Sequence, residues 1–463
     1  MNNVVKPPST EAEGASARTM RERLGALLGR RSEALSPWVL RRTLSELQAI
    51  NDPAISDVEG GRLAAGVAGW YAQASPEERR DCWLLMSQQF APDVSALDEA
   101  RREYEAALGK PGEAEAEVRL RRSFSSPRTR LLQRFAAFPE GMRFLVDLRA
   151  ELLPHLKSDK RLVALDAELE ALFSTWFDVA FLDLKRISWE SPAALVEKLI
   201  KYEAVHDITS WADAKNRLDE DRRCYGFFHP RLPGEPLIFV EVALLQGLAG
   251  SMPPLLDETA DASDLGKATT AIFYSISNTQ TGLRGVSFGD SLIKRVVETL
   301  RAEFPQLKEF ATLSPIPGLR SWLTKQAPDL WAGTAARTRQ AIEKQLGQNG
   351  LEAVAVMAAL DKPKELDEKS PLGRWLQAAA ARFLGKELAS NGRPLDAVAR
   401  FHLGNGARVE RLNWLGDPSA KGVKQSYGLM VNYLYDLKRL DKHRAQLAKG
   451  SVPVAKAVEN LMD

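Results

Sequence analysis

The sequence predicts an α+β, multidomain protein: an all-α helical bundle over residues 21–185, then a mixed α/β domain over 186–463 that carries a helical insertion. Three observations predict it. Apolar residues recur at helical spacing almost without interruption from Leu24 to Leu182. Strand-like runs with turn punctuation begin only after the chain reaches Cys224. The stretch Ala271 to Gly318 reads as strand, glycine turn, amphipathic helix, strand, a layout that aims backbone N–H groups at an anion near the helix start.

Taken in order, residues 1–20 are rich in Pro, Ser, Ala and Glu and read as a disordered tail, without the apolar segment of a secretory signal. Trp38, Leu40, Leu44 and Leu47 share one helical stripe, and Leu63, Val67, Trp70 and Tyr71 share the next. Pro76 and Pro92 mark helix boundaries, because proline fits a first turn and disrupts later ones. About seven or eight helices follow this pattern, with little candidate chemistry among them, so a scaffolding or oligomerising role is expected. After Trp189 come two more helices, then strands over Cys224–His229 and Pro236–Leu245. Ala271 to Ser277 alternates as a strand, and Leu292, Val296 and Leu300 line one stripe of the helix beyond the glycine turn. Phe310 to Ser314 reads as a short strand halted by Pro315 and Pro317, and residues 338–384 as a helical insertion. Asp396 is placed to cap a helix from Ala397 to Leu403, followed by a last strand from Arg408 to Trp414.

Composition excludes several classes. With 63 basic against 61 acidic residues the net charge is +2, and the basic residues are dispersed, so nucleic acid is not an expected partner. No apolar run approaches the ~20 residues of a membrane span. Cys82 and Cys224 cannot form a disulfide framework, and the five histidines are too scattered for a local metal motif, so no metal and no cofactor are expected. Without a targeting signal, the cytoplasm is the expected location.

The glycine turn is neither a P-loop nor a Rossmann fingerprint. Gln280, Arg284, Gly285 and Gly289 instead resemble the Q/R-x-x-G-x-G/A turn of the GNAT acetyltransferase superfamily, which holds the pyrophosphate of coenzyme A. Longer segments extend the likeness. CYGFFHP, AIFYSIS, GLRGVSFG followed by LIKRVV, FATLSPIPG, FHLGNGA and LNWLGD occur in this order between Cys224 and Tyr435, and together they resemble the malonyl-CoA decarboxylase family.

That resemblance implies a GNAT-like catalytic domain converting malonyl-CoA to acetyl-CoA and CO2, in a homo-oligomer. It implies Ser314 of SPIPG and His402 of FHLGNGA as the catalytic pair, with Tyr435 as an orienting member. Arg284, Gly285, Val286, Ser287, Phe288, Gly289 and Asp290 are expected to bind the coenzyme A phosphates, with Asp290 better suited to capping the helix. His402 falls in the last turn of its helix, where the dipole favours imidazolium by up to ~1 kcal/mol, as a proton donor needs. Two other readings share the fold: an acyltransferase, which requires an acceptor amine, and a non-enzymatic acyl-CoA sensor, which binds without turnover.

Overall fold

The computed structural model describes residues 35–286, 288 and 292–462. The expected tail over residues 1–20 lies outside them, as do the predicted site residues Ser287, Gly289 and Asp290. The chain divides into two compact units between Leu172 and Phe173.

The first unit is helical. It comprises α1 (Pro37–Asn51), α2 (Asp57–Gln73), α3 (Pro76–Gln89), α4 (Val94–Ala107), α5 (Glu113–Ser123), α6 (Pro127–Ala137), α7 (Gly141–Leu152) and most of α8 (Val163–Trp176). Helix starts follow local chemistry. Ser36, Ser56 and Ser75 each accept a backbone N–H of the first turn, and Ser75 with Glu78 closes a reciprocal capping box. Leu40, Leu44, Leu47 and Ile50 of α1 are buried as their spacing predicts, but Trp38 on the first turn is 65% exposed. Arg149 is buried against Asp166 at 2.8 Å and Glu170 at 3.3 Å, so its charge is paired rather than stranded.

The second unit is built on one eight-stranded sheet. Its strands are β1 (Asp183–Ile187), β2 (Arg222–Phe228), β3 (Pro236–Leu245), β4 (Thr270–Asn278), β5 (Glu309–Thr312), β6 (Ser314–Pro315), β7 (Arg408–Asn413) and β8 (Met430–Leu434). Strands β1 to β4 pair antiparallel in sequence order. β5 then joins β4 in parallel, as a connection through helix α11 (Leu292–Glu303) permits. β8 runs antiparallel to β5 and β6 on one side and to β7 on the other. α9 (Ala193–Tyr202) and α10 (Trp211–Arg217) precede β2. The insertion predicted over residues 338–384 starts earlier in the structure: α12 (Leu319–Gly333) precedes α13 (Ala336–Leu346), α14 (Ala353–Leu360) and α15 (Pro371–Gly385). After it come α16 (Ala397–Gly404), and, around β8, α17 (Ala420–Ser426), α18 (Leu440–Ala448) and α19 (Lys456–Met462).

Three local departures from the predicted pattern shape the site. The β3–β4 register shifts so that Glu241 faces Ser275 but Val242 faces Phe273, which leaves Tyr274 in a bulge and breaks the expected alternation. The strand expected over Phe310–Ser314 is interrupted at Leu313, giving β5 and β6. The strand expected to be last, Arg408 to Trp414, is followed by β8, which runs between it and β5.

One turn has no room for a side chain. Gly406 links α16 to β7 with φ of +87°, and a Cβ there would lie 2.8 Å from the Leu440 carbonyl oxygen and 2.9 Å from its Cα. Both the backbone conformation and the close approach require glycine. Gly406→Ala is expected to destabilise the protein by about 2–4 kcal/mol. Urea denaturation would check this, and an unchanged midpoint would refute the packing described.

Candidate active site

Ser314 is the first residue of β6 and is 5% exposed. Its hydroxyl donates to Thr312 Oγ1 at 2.8 Å, and its Oγ lies 3.3 Å from His402 Nε2. His402, 4% exposed, sits in the last turn of α16 with Nδ1 2.7 Å from the Tyr435 hydroxyl. The ring stacks on Tyr433 with centroids 4.8 Å apart and an interplanar angle of 27°. Tyr435, one residue past β8, is tied in by its N–H donating to the Phe310 carbonyl at 2.8 Å.

These groups meet because one carboxylate joins two segments that are far apart in sequence. Asp396 Oδ1 caps α16 by accepting from the N–H groups of Val398 and Ala399, both at 2.9 Å. Its Oδ2 accepts from the N–H of Gly318 at 2.9 Å, at the end of the SPIPG turn. The helix bearing His402 and the turn following Ser314 are therefore fastened to the same side chain.

The heavy-atom geometry at Ser314 favours one histidine tautomer. With the Ser314 proton directed to Thr312, the Ser314–His402 contact needs its proton from the imidazole, so Nε2 carries the hydrogen. Nδ1 then accepts from Tyr435. The ring is neutral: burial pushes the His402 pKa down to about 3. The expected bias of a helix C-terminus toward imidazolium is overturned here, because a dipole effect of at most ~1 kcal/mol is smaller than the cost of burying that charge.

Ser314 and His402 open on a cavity of about 500 Å³. One wall is β4, where Phe273, Tyr274, Ser275 and Ile276 line the cavity around the bulge. Val286, Phe288 and Leu292 form another wall, and Arg400, Phe401, Gly404 and Asn405 of the α16 region a third. Of the predicted phosphate cradle, then, Val286 and Phe288 contribute apolar surface to the cavity that Ser314 and His402 also line. Arg284 and Gly285 lie on the exposed side of the turn, where Gly285 has φ of +82°. Tyr435 is behind the imidazole and does not line the cavity.

Sequence reasoning missed Thr312 and Tyr433. Thr312 was available as a signal: it stands two residues before Ser314, the strand period that puts two side chains on one face. The position of Tyr433 against the ring follows only from the pairing of β8 with β5 and β6. No group of three or more His, Cys, Asp or Glu side chains able to hold a metal ion occurs among the described residues.

Strand order and the parallel β4/β5 pair make the second unit a mixed α/β domain of the class expected from the sequence. Within that class the assignment is narrower: the chain belongs to the malonyl-CoA decarboxylase family. Residues 180–463 match the family model for the malonyl-CoA decarboxylase C-terminal domain, and residues 90–177 match that for the N-terminal domain. The chain is 36% identical to the mitochondrial malonyl-CoA decarboxylase of Anser anser anser over 373 residues, covering 75% of this chain and 70% of that protein. It resembles the crystal structure of malonyl-CoA decarboxylase from Rhodopseudomonas palustris with a TM-score of 0.78 and 40% identity, covering 91% of this chain and 99% of that one. For the enzyme from Agrobacterium vitis the values are 0.79 and 39%, covering 91% and 100%.

The neutral imidazole has a consequence for stability. An unfolded histidine takes up a proton below about pH 6.5, whereas the folded one does so only near pH 3, so its contribution is fully present above 6.5 and is lost as pH falls toward 3. His402→Gln is expected to flatten the stability–pH curve between pH 6 and 4 by up to about 1.4 kcal/mol per pH unit. Urea unfolding of both proteins across that range measures it, and parallel curves would contradict a buried neutral ring.

Proposed function

We propose that the chain decarboxylates malonyl-CoA to acetyl-CoA and CO2 at the cavity shared by Ser314 and His402. The observation that carries this reading is the hydroxyl–imidazole pair, buried at the floor of a largely apolar cavity in a chain of the malonyl-CoA decarboxylase family.

The chemistry follows from where electrons and protons go. The bond between the α-carbon and the carboxylate breaks, CO2 departs, and the electron pair remains as the enolate of the thioester. The substrate thus carries its own electron sink, and the reading assigns no cofactor beyond the coenzyme A of substrate and product. Apolar walls such as Phe273, Ile276 and Phe288 favour this step, because a desolvated carboxylate is more easily lost as neutral CO2. Ser314 aligns the imidazole beside the malonyl group. His402 Nε2–H delivers the proton to the α-carbon, which needs no imidazolium, since a thioester α-C–H is a far weaker acid than a neutral imidazole. As that proton leaves, Tyr435 supplies its own to Nδ1, so no naked imidazolate forms; a proton from solvent in the cavity then reaches Nε2 and Nδ1 returns its proton to the phenolate, which restores the starting tautomer. Tyr435 acts through the histidine and is a positioning and relay residue.

For the remaining predicted positions the reading is that Arg284 and Gly285, with Ser287, Gly289 and Asp290 outside the described residues, meet the coenzyme A phosphates. We further propose a homo-oligomer assembled through the helical unit, and a cytoplasmic location. No helix among the described residues is long and apolar enough to cross a membrane.

Purified protein given malonyl-CoA alone should form acetyl-CoA and CO2 with no acceptor amine. Acetyl-CoA appearing only with an acceptor would favour an acyltransferase, and binding without turnover a sensor. Ser314→Ala and His402→Ala should each lower kcat at least about 100-fold, and wild-type rates in both would end the proposal. Tyr435→Phe is expected to lower kcat about 10- to 100-fold while leaving KM within about threefold. Equal losses in kcat and affinity would instead mean that the phenol merely supports the cavity.

A further inference from the structure

The break between β5 and β6 is not a simple end of pairing. On one side of it Ala311 faces Leu434, and on the other Ser314 faces Val431, so the register across the gap is the same. Continuous pairing would set Thr312 opposite Tyr433 and Leu313 opposite Asn432. Side chains occupy those places instead. The Tyr433 N–H donates to Thr312 Oγ1 at 3.1 Å, and Asn432 Nδ2 donates to the Thr312 carbonyl at 2.7 Å. Asn432 is itself fixed, its Oδ1 accepting from Asn413 Nδ2 at 2.9 Å and Arg411 Nε at 3.1 Å. Thr312 is fully buried, so its hydroxyl oxygen has taken the place of a ladder carbonyl in the sheet interior. That same oxygen accepts the Ser314 hydroxyl at 2.8 Å.

We propose that Thr312 is a positioning residue for the decarboxylation, one that sets the direction of the whole hydrogen-bond chain at the site. This rests on the roles of Ser314 and His402 given above. By taking the Ser314 proton, Thr312 leaves the serine oxygen able only to accept from His402. The imidazole must then carry its hydrogen on Nε2, the nitrogen nearest Ser314 and the cavity, and Nδ1 must accept from Tyr435. Without the threonine hydroxyl, Ser314 is free to donate to Nε2. That turns the ring to its Nδ1–H tautomer, takes the proton off the nitrogen that delivers it and sets an N–H against the Tyr435 hydroxyl. The strand break thus determines which histidine nitrogen holds the reactive proton.

Thr312→Val keeps the shape of the side chain and removes the oxygen, whereas Thr312→Ser keeps the oxygen. Thr312→Val should lower kcat about 10- to 100-fold with KM within about threefold, and Thr312→Ser should stay within about threefold of wild type in both. The decisive measurement is a double-mutant cycle, because Thr312 acts only through Ser314. In the Ser314→Ala background, adding Thr312→Val should cost no more than about a further twofold in kcat. A loss there as large as in the parent enzyme would overturn the positioning role while leaving the site reading intact. Wild-type turnover in Ser314→Ala alone would instead sink the site reading. If Thr312→Val shows no cooperative thermal transition, the cycle is run with Thr312→Ala. A folded Thr312→Ser enzyme that loses at least about tenfold in kcat would also overturn the proposal.

Discussion

Burial of His402 with both ring nitrogens hydrogen-bonded is the constraint to which the rest of the site conforms. Away from water, a charged imidazole has no compensating acid nearby, so the ring is neutral and its two nitrogens play different parts. One must donate and the other accept, and the neighbours match: a serine oxygen whose own proton is directed elsewhere, and a phenol with a proton to give. Tyr433 covers one face of the ring and Phe401 meets it edge-on at 5.1 Å, which limits rotation. Arg400, although it lines the cavity, directs a guanidinium nitrogen to the Pro394 and Leu395 carbonyls at 3.1 Å.

The sheet supplies this arrangement through its irregularities. A regular β4 would pair with β3 throughout, but the bulge at Tyr274 interrupts that ladder beside the cavity. A regular β5 would continue its ladder past Thr312, but the gap at Leu313 admits side-chain donors and sets Ser314 beyond it. Asp396 then brings α16 to the same place, although the insertion α12 to α15 separates the two in sequence. The four-helix insertion is tolerated because the closure depends on a local carboxylate–amide contact rather than on the length of the loop it closes.

Much of this was visible in the sequence, and the exceptions have identifiable causes. The helix stripes, the capping serines, Asp396 as a cap and the strands at Pro236 and Ala271 all follow from short-range chemistry. Trp38 was placed on the apolar stripe and is 65% exposed, because on the first turn of α1 its ring lies under the Arg42 guanidinium rather than in the core. The cradle from Arg284 to Asp290 was read as the phosphate site with Asp290 as a cap; within it Val286 and Phe288 line the cavity while Arg284 is exposed. Three glycines report that the chain turns; they do not report which side chains the turn faces inward.

The amino-acid sequence alone dictates the order of helices and strands, the glycine and proline punctuation and the motif-bearing residues Ser314, His402 and Tyr435, because each depends on neighbours within a few positions. Only the tertiary structure decides their chemical state. Whether His402 is charged depends on burial by residues dozens of positions away. Which nitrogen holds the proton depends on Thr312, a residue made relevant by the failed pairing of two strands more than a hundred residues apart. Protonation and hydrogen-bond direction are properties of an environment, and local sequence does not contain the environment.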